Sequence, residues 1–363
     1  MTAPAPMPVS PHPSLGPIPT TPPPPPMEHG VTSFLVDPSN GCCITPDWAR
    51  YLADLGVRSV RASISTAPDG SFPADLFKRA LGCYAGVGIR VIGVIHEGFM
   101  PVGSPAIPNA VMGLHGNPLL NAWVDGITLR AEGAIRQLAP HGLTEVIAGN
   151  EGNLLGLIRP GAPTPAPPSD KSAATSPEVW GALAWQMAHR LKGVVPVYMG
   201  ALSFIPAGIP HWWNLDYLDR AYAMVERHAG HDYPWAGIVL NAEGWWHQDQ
   251  TDRLIQLLGN VRDGRPGERD KPILIGECGM KQGAIGGTGI ASMRASMGQL
   301  ARFAARAYWF QAPGHSPYLG DPALYQDYGL HQWFQRGASF AVGAPYPWHD
   351  EYFRMVGESR RGA

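Results

Sequence analysis

The sequence predicts an α/β protein folded as a single (β/α)8 barrel, the TIM-barrel architecture, behind a disordered Pro-rich N-terminal tail. Three observations carry this. Strand-like and helix-like segments alternate along the chain, eight strand candidates can be counted, and chemically active polar residues recur at the ends of those strands.

Residues 1–28 form the tail. The segment from Thr2 to Met27 is dominated by proline and ends in the run Pro22 to Pro26, so it has too little apolar surface to fold and reads as a polyproline-like spacer or plain extension. Residues 29–363 are assigned to the barrel. Its strands are short apolar runs rich in Val, Ile and Tyr, and each precedes a segment of helical period. In order, strand 31–36 is followed by helix 45–55, strand 57–63 by helix 73–86, and strand 89–96 by helix 119–138. Strand 143–150 precedes helix 177–191, strand 195–203 precedes helix 215–228, and strand 237–243 precedes helix 251–262. Strand 272–277 leads to helix 293–304, and strand 305–310 to a closing helix over 348–360. Glycine and proline fall mostly in the connections. An open doubly wound sheet would give the same alternation. Closure is favoured because Arg61, His96, Asn150, Glu151, Glu277 and Trp309 all lie at strand ends, where a barrel assembles its active site.

Composition narrows the partner. A formal charge of -2 leaves no basic footprint for nucleic acid or a membrane surface. Only 15% of residues are charged against 12 Trp and 12 Tyr, which favours an uncharged ligand met by flat aromatic surfaces, as in a sugar site. The cysteines Cys42, Cys43, Cys83 and Cys278 show no C-x-x-C spacing and read as reduced, so neither zinc nor a disulfide framework is expected. With no basic-then-apolar leader and no membrane-length apolar stretch, the default location is cytoplasmic, with non-classical release open. Oligomeric state is not encoded in any pattern.

Two carboxylates dominate the chemistry. Glu151 follows the apolar run 146–149 and Asn150, and Glu277 ends Ile-Leu-Ile-Gly-Glu277; each stands at the end of a buried strand, where an ionised carboxylate needs a partner or a task. Strands four and seven face each other across a barrel about two side chains wide, so the two Glu can meet over the mouth. Retaining glycoside hydrolysis needs carboxyl groups about 5–5.5 Å apart, one nucleophile and one acid/base.

At these residues the chain resembles the clan of retaining barrel glycoside hydrolases that includes the cellulase and mannanase families (clan GH-A). Asn150-Glu151 matches its strand-four pair, Gly276-Glu277 its strand-seven nucleophile, Trp309 its strand-eight tryptophan, Arg61 its strand-two arginine and His96 its strand-three histidine. The resemblance implies Glu277 as nucleophile, Glu151 as acid/base, Asn150 on the sugar 2-hydroxyl, Arg61 holding Glu277, His96 near the sugar and Trp309 as the floor of the central subsite. It implies a β-linked oligosaccharide or polysaccharide substrate and no cofactor. Strand six departs from the pattern: Val239-Leu-Asn241-Ala-Glu243-Gly-Trp245-Trp246-His247 lacks the usual His or Tyr beside the nucleophile. Asn241, Trp245 or His247 is expected to take that place, with Glu243 a further substrate ligand or a competing carboxylate.

Other readings of the same residues are structural: barrel-end ion pairs for the Glu residues, a satisfied core histidine for His96, a barrel plug for Trp309. No H-x-H pair marks the first strand and His96-Glu97 lacks a zincin's second histidine, which disfavours metal catalysis. Gly283 to Gly289 lacks the Gly-Lys-Ser/Thr of a phosphate loop and reads as a top loop; the Pro-rich stretch 159–176 reads as a wall beside Glu151. Trp212-Trp213 and Trp245-Trp246 are expected in top loops, where they either line further subsites, one of each pair meeting sugar, or pack as a lid. A carbohydrate-binding barrel without catalysis is the alternative to an enzyme.

Overall fold

The computed structural model describes residues 27–33, 35–37, 41–67, 69–95, 99, 122–150, 177–204, 212–244, 246–279, 289–310, 331–336, 339–345 and 349–361. Its eight parallel strands are β1 (Glu28–Thr32), β4 (Ser59–Ile64), β5 (Arg90–Ile95), β6 (Leu143–Asn150), β7 (Val197–Phe204), β8 (Ile238–Glu243), β9 (Ile273–Gly279) and β10 (Arg306–Trp309). They close into a barrel in the order β1-β10-β9-β8-β7-β6-β5-β4. One helix follows each: α1 (Pro46–Asp54), α2 (Ala74–Ala85), α3 (Ala122–Leu138), α4 (Pro177–Arg190), α5 (Trp212–Ala229), α6 (Gln248–Arg262), α7 (Gly289–Leu300) and α8 (His349–Arg361). Two antiparallel hairpins interrupt this rhythm, β2 (Val36–Asp37) with β3 (Cys42–Cys43), and β11 (His331–Arg336) with β12 (Ser339–Pro345). Among the described residues no helix is long and apolar enough to cross a membrane.

Strand alternation produces two cores. Ile92, Val94, Ile147, Tyr198, Ala201, Val239, Leu274 and Tyr308 point inward and form a separate barrel interior. Their neighbours, such as Val146, Ala148, Leu240, Ile275 and Ala307, pack outward against the helices in the larger cluster. Helix α1 shows how the helices are placed: Thr45 caps its first turn by accepting from the Trp48 N–H, Pro46 occupies the first position, and Trp48, Ala49 and Leu52 form the buried stripe.

The first strand is where sequence and structure differ most. The apolar run 31–36 predicts one strand, whereas β1 lies earlier, in register from Glu28↔Arg306 to Val31↔Trp309, and Val36 turns back to pair with Cys43. Leu35 and Val36 are buried, so their apolar character reflects the outer core and not a barrel strand. Helix α7 begins four residues before the predicted start, because Met293, Ser296, Met297 and Leu300 already form its buried face and the helix extends a turn ahead of it. The pair Trp212-Trp213 belongs to the first turn of α5 and not to a loop.

The N-terminal ends of the strands enclose a charged cluster. The Arg306 guanidinium meets Glu145 at 2.6 Å and Glu28 at 3.4 Å, Arg90 meets Glu28 at 2.6 Å, and the Tyr308 hydroxyl lies 2.9 Å from Arg306 and 2.7 Å from Ser59. This ties β1, β4, β5, β6 and β10 together at the face away from the strand C-termini.

Candidate active site

The opposite face gathers Arg61, Asn150, Asn241 and Glu277 from the ends of β4, β6, β8 and β9. Local backbone irregularities aim them inward. On β9 the pairing with β8 slips between Leu240↔Ile275 and Asn241↔Glu277, so Gly276 is an extra residue in the ladder. Such a bulge re-aims the following side chain, and Glu277 is turned to the interior while Cys278 packs outward against Met297. On β6, Gly149 adopts φ +96°, a left-handed conformation that L side chains rarely take, and the large ring of Trp180 lies where a side chain would project.

The centre of the cluster is Arg61, a donor-only group 2% exposed. Its Nη1 donates to Glu277 Oε1 at 2.5 Å and its Nη2 to Asn150 Oδ1 at 2.6 Å. The planar guanidinium therefore fixes the carboxylate and the amide against each other, as a flexible ammonium would not. Asn150 Oδ1 accepts a second bond from Asn241 Nδ2 at 3.3 Å. Asn241 is fully buried and Glu277 is 7% exposed, so this is a nearly dry charged site that opens only at its rim. Ser63, two residues after Arg61 on the same inward face of β4, is exposed there.

Gly276 makes the cluster possible. A Cβ at this position would lie 2.7 Å from Asn241 Oδ1, 2.7 Å from Val239 Cγ1 and 3.2 Å from Arg61 Nε. Thr32 Oγ1 also approaches the Gly276 carbonyl, at 3.4 Å. In the sequence Gly276 stands out only as the neighbour of Glu277; the signal that reveals its role is a lone glycine inside a buried apolar strand, which marks a bulge or a close approach.

Of the expected residues, the structure thus brings together Arg61, Asn150, Asn241 and Glu277. Glu151, His96 and Trp245 lie outside the described residues, as do the segments 159–176 and 283–288. Glu243 is the last residue of β8. Trp309 is 2% exposed: alternation sends Tyr308 into the barrel and Trp309 toward the helices, where its indole packs on Tyr352 with ring centres 5.2 Å apart. There it lines a small crevice of about 10 Å³ with Cys278, Gly279, Met293 and Met297. Trp246 is buried and donates its indole N–H to the Ala242 carbonyl, and His247 is exposed at the start of α6, with its backbone N–H bonded to Gln250. Of the strand-six candidates, Asn241 lies opposite Glu277 as its register partner. Cys278, next to Glu277, does not offer a reactive thiolate. Burial, and then the adjacent Glu277, push its thiol up and keep it protonated. Among the described residues no cluster of His, Cys, Asp and Glu could hold a metal ion.

No protein-family model and no curated protein sequence matches the chain. Its fold is nevertheless shared with solved structures. A structure of fungal β-1,4-galactanases is 15% identical, with a TM-score of 0.56, covering 90% of this chain and 99% of that one. A GH5_18 protein from Streptomyces cattleya in complex with GlcNAc is 15% identical, with a TM-score of 0.54, covering 93% and 80%. The AHE enzyme from Alicyclobacillus herbarius is 13% identical, with a TM-score of 0.56, covering 87% and 85%. At this identity the likeness is one of fold, and it is the barrel fold read from the sequence.

Proposed function

We propose that this chain is a glycoside hydrolase that cleaves β-linked glycans with net retention, Glu277 acting as nucleophile and Glu151 as acid/base. The observation that supports it most is the Arg61 guanidinium, shared between the Glu277 carboxylate and the Asn150 amide at the C-terminal mouth of the barrel. An ion pair serving only stability has no need of an amide on the same guanidinium, whereas a nucleophile beside a sugar needs both a fixed carboxylate and a donor for the neighbouring hydroxyl.

In the first step a Glu277 oxygen attacks the anomeric carbon as the glycosidic C–O bond breaks, and Glu151 gives its proton to the leaving oxygen. In the second, water attacks the same carbon, Glu151 takes its proton, and Glu277 departs as carboxylate. Arg61 holds the attacking oxygens in line and balances their charge, while Asn150 N–H meets the sugar 2-hydroxyl. This chemistry calls for no cofactor.

Turnover of an activated aryl β-glycoside tests the assignment. Glu277→Gln should abolish it, and Glu151→Ala should slow release of the glycosyl enzyme and regain rate with added azide. A 2-fluoro-sugar trap should label Glu277 in mass spectrometry. Undiminished turnover by Glu277→Gln, or a label on another residue, rejects these roles.

A further inference from the structure

We propose that Asn241 is a positioning residue: with Arg61 it occupies both acceptor sites of the Asn150 carbonyl, so that Asn150 presents only N–H donors to the mouth and the sugar substituent it meets must be an acceptor. The chemistry of the donors fixes the orientation. A guanidinium only donates, so the Asn150 atom 2.6 Å from Arg61 Nη2 is the carbonyl oxygen. The Asn241 atom 3.3 Å from that same oxygen must then be its amide nitrogen. A carbonyl oxygen has two lone pairs, and both are now engaged. Reversing the Asn150 amide would set its NH2 against two donors at once. The amide hydrogens of Asn150 consequently point away from the buried pair, and neither has an acceptor among the described residues.

The position of this donor relative to Glu277 defines what it reads. Asn150 and Glu277 are bridged by one guanidinium, so a sugar with its anomeric carbon at Glu277 carries its adjacent substituent to Asn150. A hydroxyl there can accept, and its own hydrogen is free to turn elsewhere; an acetamido carbonyl can also accept. A protonated amine, which only donates, is refused. Asn241 never touches the sugar. It is fully buried, opposite Glu277 in the ladder, and fits because Gly276 has no side chain. The strand-six residue therefore supports the substrate-binding amide.

This inference rests on the glycosidase reading only for the identity of the ligand, and the test separates the two. Steady-state kinetics on aryl glycosides bearing 2-hydroxyl, 2-deoxy and protonated 2-amino groups would be compared in wild type, Asn241→Leu and Asn241→Ser. Wild type should prefer the 2-hydroxyl and reject the 2-amino sugar. Both variants should lose roughly 10- to 100-fold in kcat/KM on the 2-hydroxyl substrate and much less on the 2-deoxy one, since what they lose is the oriented donor. In an Asn150→Ala background the Asn241 substitutions should add little. Side-chain amide NMR supplies a readout that needs no turnover: the Asn150 NH2 pair should shift and broaden in both variants. Equal losses on the 2-hydroxyl and 2-deoxy sugars, or an unmoved Asn150 signal, overturn the positioning role. A shifted Asn150 signal without wild-type turnover of any glycoside upholds it and rejects the glycosidase reading.

Discussion

Gly276 bears on the site as directly as the carboxylate that follows it, because the space above its Cα is filled by Asn241, Val239 and Arg61. Gly276→Ala brings a methyl to 2.7 Å from Asn241 Oδ1, closer than carbon and oxygen tolerate, and Arg61 and Asn241 must yield. Overpacking of this kind costs about 1–3 kcal/mol, and a displacement near 1 Å of catalytic groups costs on the order of 10²-fold in rate. The expected variant unfolds at modestly lower denaturant yet loses most of its kcat on an aryl glycoside. Full activity at wild-type stability would contradict this packing. Residue identity is readable from the sequence where chemistry is tied to strand ends: Arg61, Asn150, Asn241 and Glu277 all carry that signature, and all meet. Their wiring is not readable in the same way. That Glu277 comes opposite Asn241 follows from a one-residue register slip in β9, and a linear pattern carries no trace of which residues pair at that level. Trp309 illustrates the same limit, since one step in alternation separates a residue lining the mouth from one packed under α8, and the sequence allows both readings.

At the scale of elements, closure depends on β1, which pairs with both β10 and β4 and carries α8 on its outer side. His29 of β1 is half-buried, edge-on to Tyr352 of α8 at 5.9 Å, with Nδ1 buried and without a partner among the described residues. Burial lowers its pKa to about 4, and Glu28 only partly opposes this. In the unfolded chain the ring titrates near 6.5, so between about pH 6.5 and 4 the unfolded state binds the extra proton. Stability from this contact is then complete above pH 6.5 and is lost as pH falls through that window, at up to about 1.4 kcal/mol per pH unit. Denaturant midpoints measured from pH 7.5 to 4 should fall less steeply for His29→Phe, which keeps the aromatic edge contact and removes the titration; parallel curves would reject the contact as a source of acid sensitivity. Elements with a single clear periodicity are legible: α1, α2, β6 and β8 lie close to their expected bounds. Those that are not, β1 and the β2–β3 and β11–β12 hairpins, are short strands whose apolar residues serve the outer core or a two-stranded pair, where burial without long periodicity cannot name the partner.

Across the whole molecule the two ends of the barrel divide the work. Charged residues at the strand starts, Glu28, Arg90, Glu145 and Arg306, engage one another and the Tyr308 hydroxyl, whereas Arg61, Asn150, Asn241 and Glu277 form a separate, largely buried cluster at the other end. In barrels of this kind the first face reads as stability and the second as chemistry. The Tyr308 hydroxyl illustrates the first: burial raises its pKa to about 12 even with Arg306 alongside pulling it down, so it remains a neutral link between Arg306 and Ser59. Removing Arg306 tests the division. Arg306→Met leaves Glu145 and Glu28 with only the more exposed Arg90, 2.6 Å from Glu28 and 3.9 Å from Glu145, and removing one partner of a largely buried pair costs roughly 3 kcal/mol. Because Arg306 and Tyr308 belong to the strand that closes the ring between β1 and β9, the loss should appear as a large drop in unfolding midpoint of the entire domain, not as local fraying. At a temperature where the variant is still folded, its kcat/KM on an aryl glycoside should stay within a few-fold of wild type, since Tyr198, Leu274 and Tyr308 separate the two faces with a solid interior. A variant of normal stability, or one that is stable but catalytically dead, would show that the two ends are not independent.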